Sequence, residues 1–329
     1  MAEGDDSTRD GTGAGTAGRG DVSGAGRVVV GLGGNALLRA SGRGTFEDQM
    51  GAIEETAAYV VDAIDAGYEV VLTHGNGPQV GNRLLEQEAG ADVPALPLDV
   101  LVAETQAQLG YLLQQALDNA LGGGTDFVTV VTQTVVDPDD PAFENPTKPI
   151  GPWYAEAEAR EKPFETRPVG TGARTWRRVV PSPEPVEVVE ADEVARLVDA
   201  GNRVVCAGGG GVPVVRDGGL HGVEAVVDKD RTSALLASAV GADLLVLLTD
   251  VPFAAVDYGG PDERPLRDVD PTTLREHLTA GEFGAGSMRP KVEACLAFVE
   301  SGGERAVVAR PEDLAVALAG TAGTQLRAR

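Results

Sequence analysis

Lysine is nearly missing from this chain. Of its 27 lysines and arginines only Lys148, Lys162, Lys229 and Lys291 are lysine, against 51 acidic residues, and the formal net charge is −24. That balance excludes the basic surface that nucleic acid or an anionic membrane requires. Cysteine is scarce: Cys206 and Cys295 both sit in apolar contexts and read as reduced core residues, which points to a reducing cytoplasm. Three scattered histidines and two distant cysteines make no zinc site. No apolar run reaches the roughly 18 residues of a membrane-spanning helix. Aromatic residues are 4% of the chain, so Val, Leu and Ala must fill the core that a hydrophobic content of 42% allows. Several signatures are absent: GxxxxGK(S/T) for a P-loop, the HRD and DFG pair of protein kinases, GxGxxG after the first strand, and a GxSxG elbow.

What is present is a strand–helix alternation over 329 residues, enough for one large α/β domain or two lobes. Residues 1–26 are rich in Gly, Ser, Thr and Asp without an apolar stretch, so they read as a disordered tail and not as a signal peptide. The apolar run 27–32 is read as a buried strand ending in Gly33-Gly34-Asn35. A helix follows from Thr45, with Asp48 as its capping-box acid and Gly67 as its stop. A second strand, 69–73, runs into His74-Gly75-Asn76-Gly77-Pro78-Gln79 and a helix through Glu88. Glycine loops at the carboxyl ends of parallel strands are where ligands bind in open α/β sheets. His74 tempts as an acid or base, but it reads more simply as a residue that holds the loop backbone.

A long amphipathic helix is expected over 99–121 and a strand over 126–136. Residues 137–185 then change character: prolines, both tryptophans and many charges with no helical period suggest a small protruding hairpin subdomain. Lys148 lies in it, between Pro146 and Pro149; Lys162 lies in a plain polar stretch and reads as a surface residue. After 186 the alternation returns, with a helix over 192–200 and a strand over 203–207 ending in Gly208-Gly209-Gly210-Gly211. A hairpin is expected around Asp217-Gly218-Gly219, then Asp228-Lys229-Asp230 and a helix over 232–240. The strand 244–248 ends at Thr249-Asp250. A loop over 256–265 carries Tyr258, and Lys291 opens a helix from about Pro290, where its ammonium adds to the positive helix N-terminus. A strand over 306–309 and a helix over 312–319 close the chain. The fold class is α/β with a mainly parallel sheet and helices on both faces.

Three glycine loops and three lysines, Lys148, Lys229 and Lys291, with Asp230 placed to orient them, suit phosphoryl transfer. That reaction needs charge neutralised on phosphate oxygens more than it needs covalent help.

The motifs LGGNALL (32–38), THGNGPQVGN (73–82), PTKPIG (146–151), GGGGVPV (208–214), EAVVDKD (224–230) and GSMRPKVEA (286–294) resemble, in order, those of the carbamate kinase family within the amino-acid kinase superfamily. The likeness runs from about Arg27 to Gln325. It implies an open, mainly parallel sheet of roughly eight strands sandwiched by helices, usually in a dimer. The implied lobes are an acceptor lobe, 27–200, that includes the subdomain, and a nucleotide lobe, 201–329. The implied reaction is ATP plus carbamate in reversible exchange with ADP plus carbamoyl phosphate, used to make ATP in arginine breakdown. By the same resemblance Gly33, Gly34, Asn35, Gly75, Asn76 and Gly77 line the acceptor pocket, and Lys148 reaches the travelling group. Lys229 and Lys291 hold nucleotide phosphates, and Asp230 orients the lysines. Gly208, Gly209, Gly210, Gly211, Thr249, Asp250, Tyr258 and Ser287 lie along the nucleotide. Mg²⁺ travels on the phosphates, with no tight protein cage. Two other readings stay open: a related kinase for another small carboxylate such as acetylglutamate, and a catalytically silent nucleotide sensor.

The acidity suits a protein that stays soluble in concentrated salt. Solubility compared from low to multimolar KCl is expected to favour the high-salt end; identical behaviour throughout would count against a salt adaptation.

Overall fold

The computed structural model describes residues 25–38, 45–90, 92–124, 126–169, 174–283 and 288–328. The tail expected over 1–26 lies outside them except for its last two residues. The main sheet has eight strands: β1 (Arg27–Leu32), β2 (Glu69–His74), β3 (Phe127–Thr129), β4 (Arg203–Val205), β5 (Leu244–Leu248), β6 (Asp268–Val269), β7 (Arg305–Ala309) and β8 (Thr324–Arg327). Their order across the sheet is β6-β8-β7-β5-β1-β2-β4-β3. Every neighbouring pair is parallel except β7 with β8.

The apolar strands alternate between two cores, as a period-two chain covered on both faces must. Val29, Val71, Val204, Leu245 and Val308 face one core. That core is closed by α4 (Lys229–Ala239), α5 (Met288–Glu300) and the helix Ala191–Asp199. Val28, Val30, Leu72, Val205 and Val246 face the other, closed by α1 (Phe46–Asp65), α3 (Leu98–Ala120) and the short helix Leu314–Leu318. Helix α2 (Gly77–Ala89) lies between α1 and α3 in the chain and packs against the strand Lys148–Tyr154. The expected capping box opens α1: Thr45 Oγ1 accepts from the Asp48 amide, and the Asp48 carboxylate accepts from Thr45 N–H. Cys206 and Cys295 are buried free thiols in the first core, as their contexts implied.

Three strands differ from expectation. The strand read over 126–136 is split, β3 ending at Thr129 and a second piece, Gln133–Val136, joining a separate four-stranded sheet. The Gln106 side chain takes the backbone groups of Thr132 at the crossing, accepting from its N–H (2.9 Å) and donating to its carbonyl (3.2 Å). Strands β6 and β8 were not foreseen, because β6 is only the two residues Asp268–Val269 and TQLR shows neither an apolar run nor a clear alternation. The lobe boundary is also interleaved: β4 lies between β2 and β3, and Val212–Arg216 pairs with Gln133–Val136. Residues 203–216 therefore pack with strands of the first half.

The subdomain is an antiparallel sheet of Lys148–Tyr154, Trp176–Val180 and Thr166–Pro168, with the helix Glu156–Arg160. Val80, Val102, Ile150, Val180 and Val214 form the apolar cluster beneath it.

Gly31 of β1 leaves the space that Leu247 of β5 fills, since a Cβ there would lie 2.8 Å from Leu247 Cδ2. Leu247 is fully buried. Leu247→Ala is expected to destabilise the fold by about 2–5 kcal/mol, read as a lower urea midpoint; an unchanged midpoint would show that this layer is not closely packed.

Candidate functional site

The site starts from a helix cap. Asp228 is in extended conformation, and its Oδ1 accepts from the backbone N–H groups of Asp230 (3.0 Å) and Arg231 (3.4 Å). Helix α4 therefore begins at Lys229, three residues before the expected 232, and Lys229 and Asp230 sit in its first turn. Asp230 Oδ1 accepts from Lys229 Nζ at 2.6 Å and Asp230 Oδ2 from Lys291 Nζ at 2.8 Å. Asp230 and Lys291 are each 4% exposed. Lys291, in the first turn of α5, thus points at a carboxylate on the neighbouring helix. Lys148 reaches across from the subdomain, its Nζ 3.0 Å from Asp228 Oδ2. Three lysines distant in sequence meet on two adjacent carboxylates.

Electrostatics follow from that packing. Burial pushes the Asp230 carboxyl up, but Lys229 and Lys291 outweigh it and hold the group below the usual carboxylate range. Burial lowers the Lys229 ammonium despite Asp230, and the charge on Lys291 lowers it further. The lysines and two aspartates leave one net positive charge at the N-terminus of α4, which favours an anion.

These side chains line a cleft of about 1400 Å³ over the carboxyl ends of the central strands, together with Gly33, Gly34, Gly75, Asn76, Gly77, Thr249 and Asp250. Each loop needs its glycine for a definite reason. A Cβ on Gly33 would lie 2.7 Å from the Leu248 carbonyl oxygen, and one on Gly75 would meet the Lys229 stem at 3.3 Å. Asn76 is buried and donates through Nδ2 to Thr105 Oγ1 at 3.0 Å.

The third glycine loop divides. Gly209 lines the cleft, whereas Gly208, Gly210 and Gly211 do not. A Cβ on Gly208 would strike the His74 ring, one on Gly210 the Val227 carbonyl and one on Gly211 the Thr134 hydroxyl. Gly209, Gly210 and Gly211 all have positive φ. The run is a close-packed turn behind Asn76, on the Gly75 side of the cleft. Tyr258 is 68% exposed and is not among the lining residues. Ser287 and the Asn35 side chain lie outside the described residues.

Three residues were passed over in the sequence. Asp228 carries both the helix cap and the Lys148 contact, which DKD alone could not distinguish from a solvated turn. Arg177 lines the cleft with Nε and Nη2 donating to the Gly151 carbonyl, and no spacing singled it out among the arginines. Lys162 is not a plain surface residue: its Nζ is 2.6 Å from Glu88 Oε2 and 4.4 Å from the Tyr154 ring centroid. Among the described residues, no three His, Cys, Asp or Glu side chains are grouped to hold a metal ion. No helix among them is long and apolar enough to cross a membrane.

Residues 26–310 match the profile of the Amino acid kinase family. The carbamate kinase of Halobacterium salinarum is 53% identical over 300 residues, covering 90% of this chain and 97% of that protein. That of Pyrococcus furiosus is 49% identical over 311 residues, covering 91% and 98%. A crystallised carbamate kinase from Giardia lamblia bound to AMP-PNP superimposes with a TM-score of 0.86 at 41% identity, covering 93% of this chain and 99% of that one. An N-acetylglutamate synthase from Neisseria gonorrhoeae, 18% identical with a TM-score of 0.54, shares the fold alone.

His74 holds the loop, as its place in the sequence suggested: Nδ1 lies 2.9 Å from the Gly75 carbonyl oxygen. Nε2 is buried with no partner. Burial first, with the Lys229 charge also acting, lowers its pKa from 6.5 to about 4. Between those values the unfolded chain takes up a proton that the folded chain refuses. Stability from this group is therefore complete above pH 6.5 and falls as the pH drops toward 4, by on the order of 3 kcal/mol. Urea midpoints near pH 5 and near pH 7 are expected to differ less in His74→Gln than in the wild type. An equal pH dependence in both would mean that His74 is not held neutral.

Proposed function

The chain belongs to the amino acid kinase family, in its carbamate kinase branch, and on that premise we propose that it transfers a phosphoryl group reversibly between ATP plus carbamate and ADP plus carbamoyl phosphate. The observation that carries this reading is the convergence of Lys148, Lys229 and Lys291 on Asp228 and Asp230 in one cleft.

In this reading the nucleotide's phosphates lie along Lys229, Lys291 and the N-terminus of α4, with Thr249 and Asp250 beside them. Gly33, Gly34, Asn35, Gly75, Asn76 and Gly77 present backbone amides to carbamate or carbamoyl phosphate on the opposite side. Lys148 meets the migrating group between the two. Its contact with Asp228 is its resting position; a polyanionic phosphoryl group outcompetes a single carboxylate and draws the ammonium onto itself. Asp230 keeps the two buried ammoniums at fixed places, so their charge is preorganised where negative charge develops in the transition state. Mg²⁺ supplies charge neutralisation on the phosphate oxygens and is carried by them, since Asp228 and Asp230 are occupied by lysines. Tyr258 and Ser287 belong to the nucleotide side of this proposal, and Gly208 to Gly211 support the acceptor loop from behind. The division into an acceptor side and a nucleotide side follows the sheet, with β4 and β3 on the former and β5 to β8 on the latter.

The same reading places the protein in the cytoplasm as a homodimer that makes ATP during arginine breakdown, in a cell with a salty interior. The acidic composition and the likeness to the Halobacterium salinarum protein support the last point.

The test is a coupled assay of ATP formation from ADP and carbamoyl phosphate. The wild type is expected to be active, and Lys148→Ala and Lys229→Ala are each expected to lose at least ~10²-fold in turnover, the scale for removing one preorganised charge. Full activity in either variant removes that lysine from the mechanism. Phosphorylation of an amino acid and not of carbamate would overturn the substrate assignment.

A further inference from the structure

Lys148 is held at the near end of a longer contact. The strand Lys148–Tyr154 lies along α2, running the same way. Its first residue and Gly77, where α2 begins, both line the cleft. At mid-length the two backbones touch, since a Cβ on Gly81 would lie 3.5 Å from Gly151 Cα. At the far end the Tyr154 hydroxyl donates to Glu88 Oε1 at 2.5 Å. From Gly77 to Glu88 the helix rises roughly 17 Å, and the strand beside it is bulged between Ile150 and Tyr154, with Gly151 at φ 68°. The strand is thus held against α2 at Gly81–Gly151 and at Glu88–Tyr154, while Lys148 at its other end pairs with Asp228.

The far pin is built and not incidental. Tyr154 is 4% exposed. The second Glu88 oxygen takes Lys162 at 2.6 Å, and that ammonium also lies over the tyrosine ring, 4.4 Å from its centroid. One carboxylate on α2 therefore binds the hydroxyl at the end of the Lys148 strand and an ammonium from the turn after the helix Glu156–Arg160. Other links join the subdomain to the body near its base: Arg178 with Glu224 (2.9 Å) and the Val226 amide with the Pro181 carbonyl (3.1 Å). These hold the base but do not act at the far end of the Lys148 strand.

We propose that Glu88, Tyr154 and Lys162 are positioning residues for the transfer reaction, a latch at one end of a strand that fixes the height of Lys148 over the cleft at the other. None of the three touches the reacting atoms. Because α2 starts in the Gly75-Asn76-Gly77 loop, the latch ties the acceptor loop and Lys148 to the same rigid helix. The inference rests on the phosphoryl-transfer reading above.

The test is a double-mutant cycle on the full chain in the ATP-forming assay. Tyr154→Phe and Glu88→Ala are each expected to lower kcat about 10-fold with the KM for ADP unchanged, because the nucleotide side of the cleft does not contact the latch. In a Lys148→Ala background the same substitutions are expected to cost nothing further, which a general loss of packing would not reproduce. Wild-type kcat in both latch variants, or an undiminished loss in the Lys148→Ala background, overturns the proposal. A second measurement is independent of activity. Amide exchange in 148–154 and 176–180 is expected to rise in Glu88→Ala while α1 stays protected, and unchanged exchange there also overturns the latch. A wild type that makes no ATP would refute the function but leave this measurement able to decide the latch.

Discussion

The site depends on one buried carboxylate shared by two ammonium groups. Lys229 and Lys291 come from the first turns of two different helices, and without Asp230 between them their like charges would face each other in a nearly dry place. With it, one oxygen serves each lysine, and the pair of cations exists before any ligand arrives. A single carboxylate neutralises only half of what the two lysines carry, so the pair keeps unbalanced positive charge, which favours an anion. The carboxylate is held in turn by the packing of α4 and α5. Arg231 of α4 pairs with Glu293 of α5 at 2.7 Å, and Ser233 of α4 meets Thr73 of β2 at 2.5 Å under the site.

Much of the frame was legible because local chemistry decides it. The apolar runs of β1, β2 and β5 need a sheet covered on both faces, the Thr45–Asp48 pair announces α1, and glycines at strand ends announce close approach. What was not legible depends on partners far along the chain. The start of α4 follows from a cap whose other carboxylate oxygen waits for Lys148. The break between β3 and the strand Gln133–Val136 follows from a glutamine on α3. The glycine run at 208–211 has the composition of a phosphate cradle, yet its packing against His74, Val227 and Thr134 leaves only Gly209 facing the cleft. A loop's residue types fix what its backbone can do, and its neighbours decide which way it faces.

The interleaving of β4 between β2 and β3 has a mechanical consequence. The glycine loop after β2 is backed by the turn after β4, which comes from the second half of the sequence, and a Cβ on Gly209 would lie 2.2 Å from the Asn76 amide. The two halves cannot separate cleanly along the chain midpoint, whereas the three-stranded subdomain stands apart from the main sheet. That subdomain touches the body through a small apolar cluster and a few polar links, a far smaller contact than the two cores of the sheet.

The rarity of lysine now has a structural meaning. Each of the four lysines has a carboxylate within 3.0 Å: Lys148 with Asp228, Lys162 with Glu88, Lys229 and Lys291 with Asp230. None serves merely as solvated surface charge. Ion pairs over the rest of the described surface are made by arginine, as in Arg83 with Glu104, Arg178 with Glu224 and Arg216 with Glu187. The two cations differ in shape: arginine presents a planar fork of donors and lysine a compact ammonium on a thin stem, and in this site two such ammoniums share one buried carboxylate, one on each oxygen. A composition that discards lysine wherever arginine or an acid will do retains it where an ammonium is required. In such a chain the rare cation marks the site, and here it marks both the site and the strand end that is braced to it.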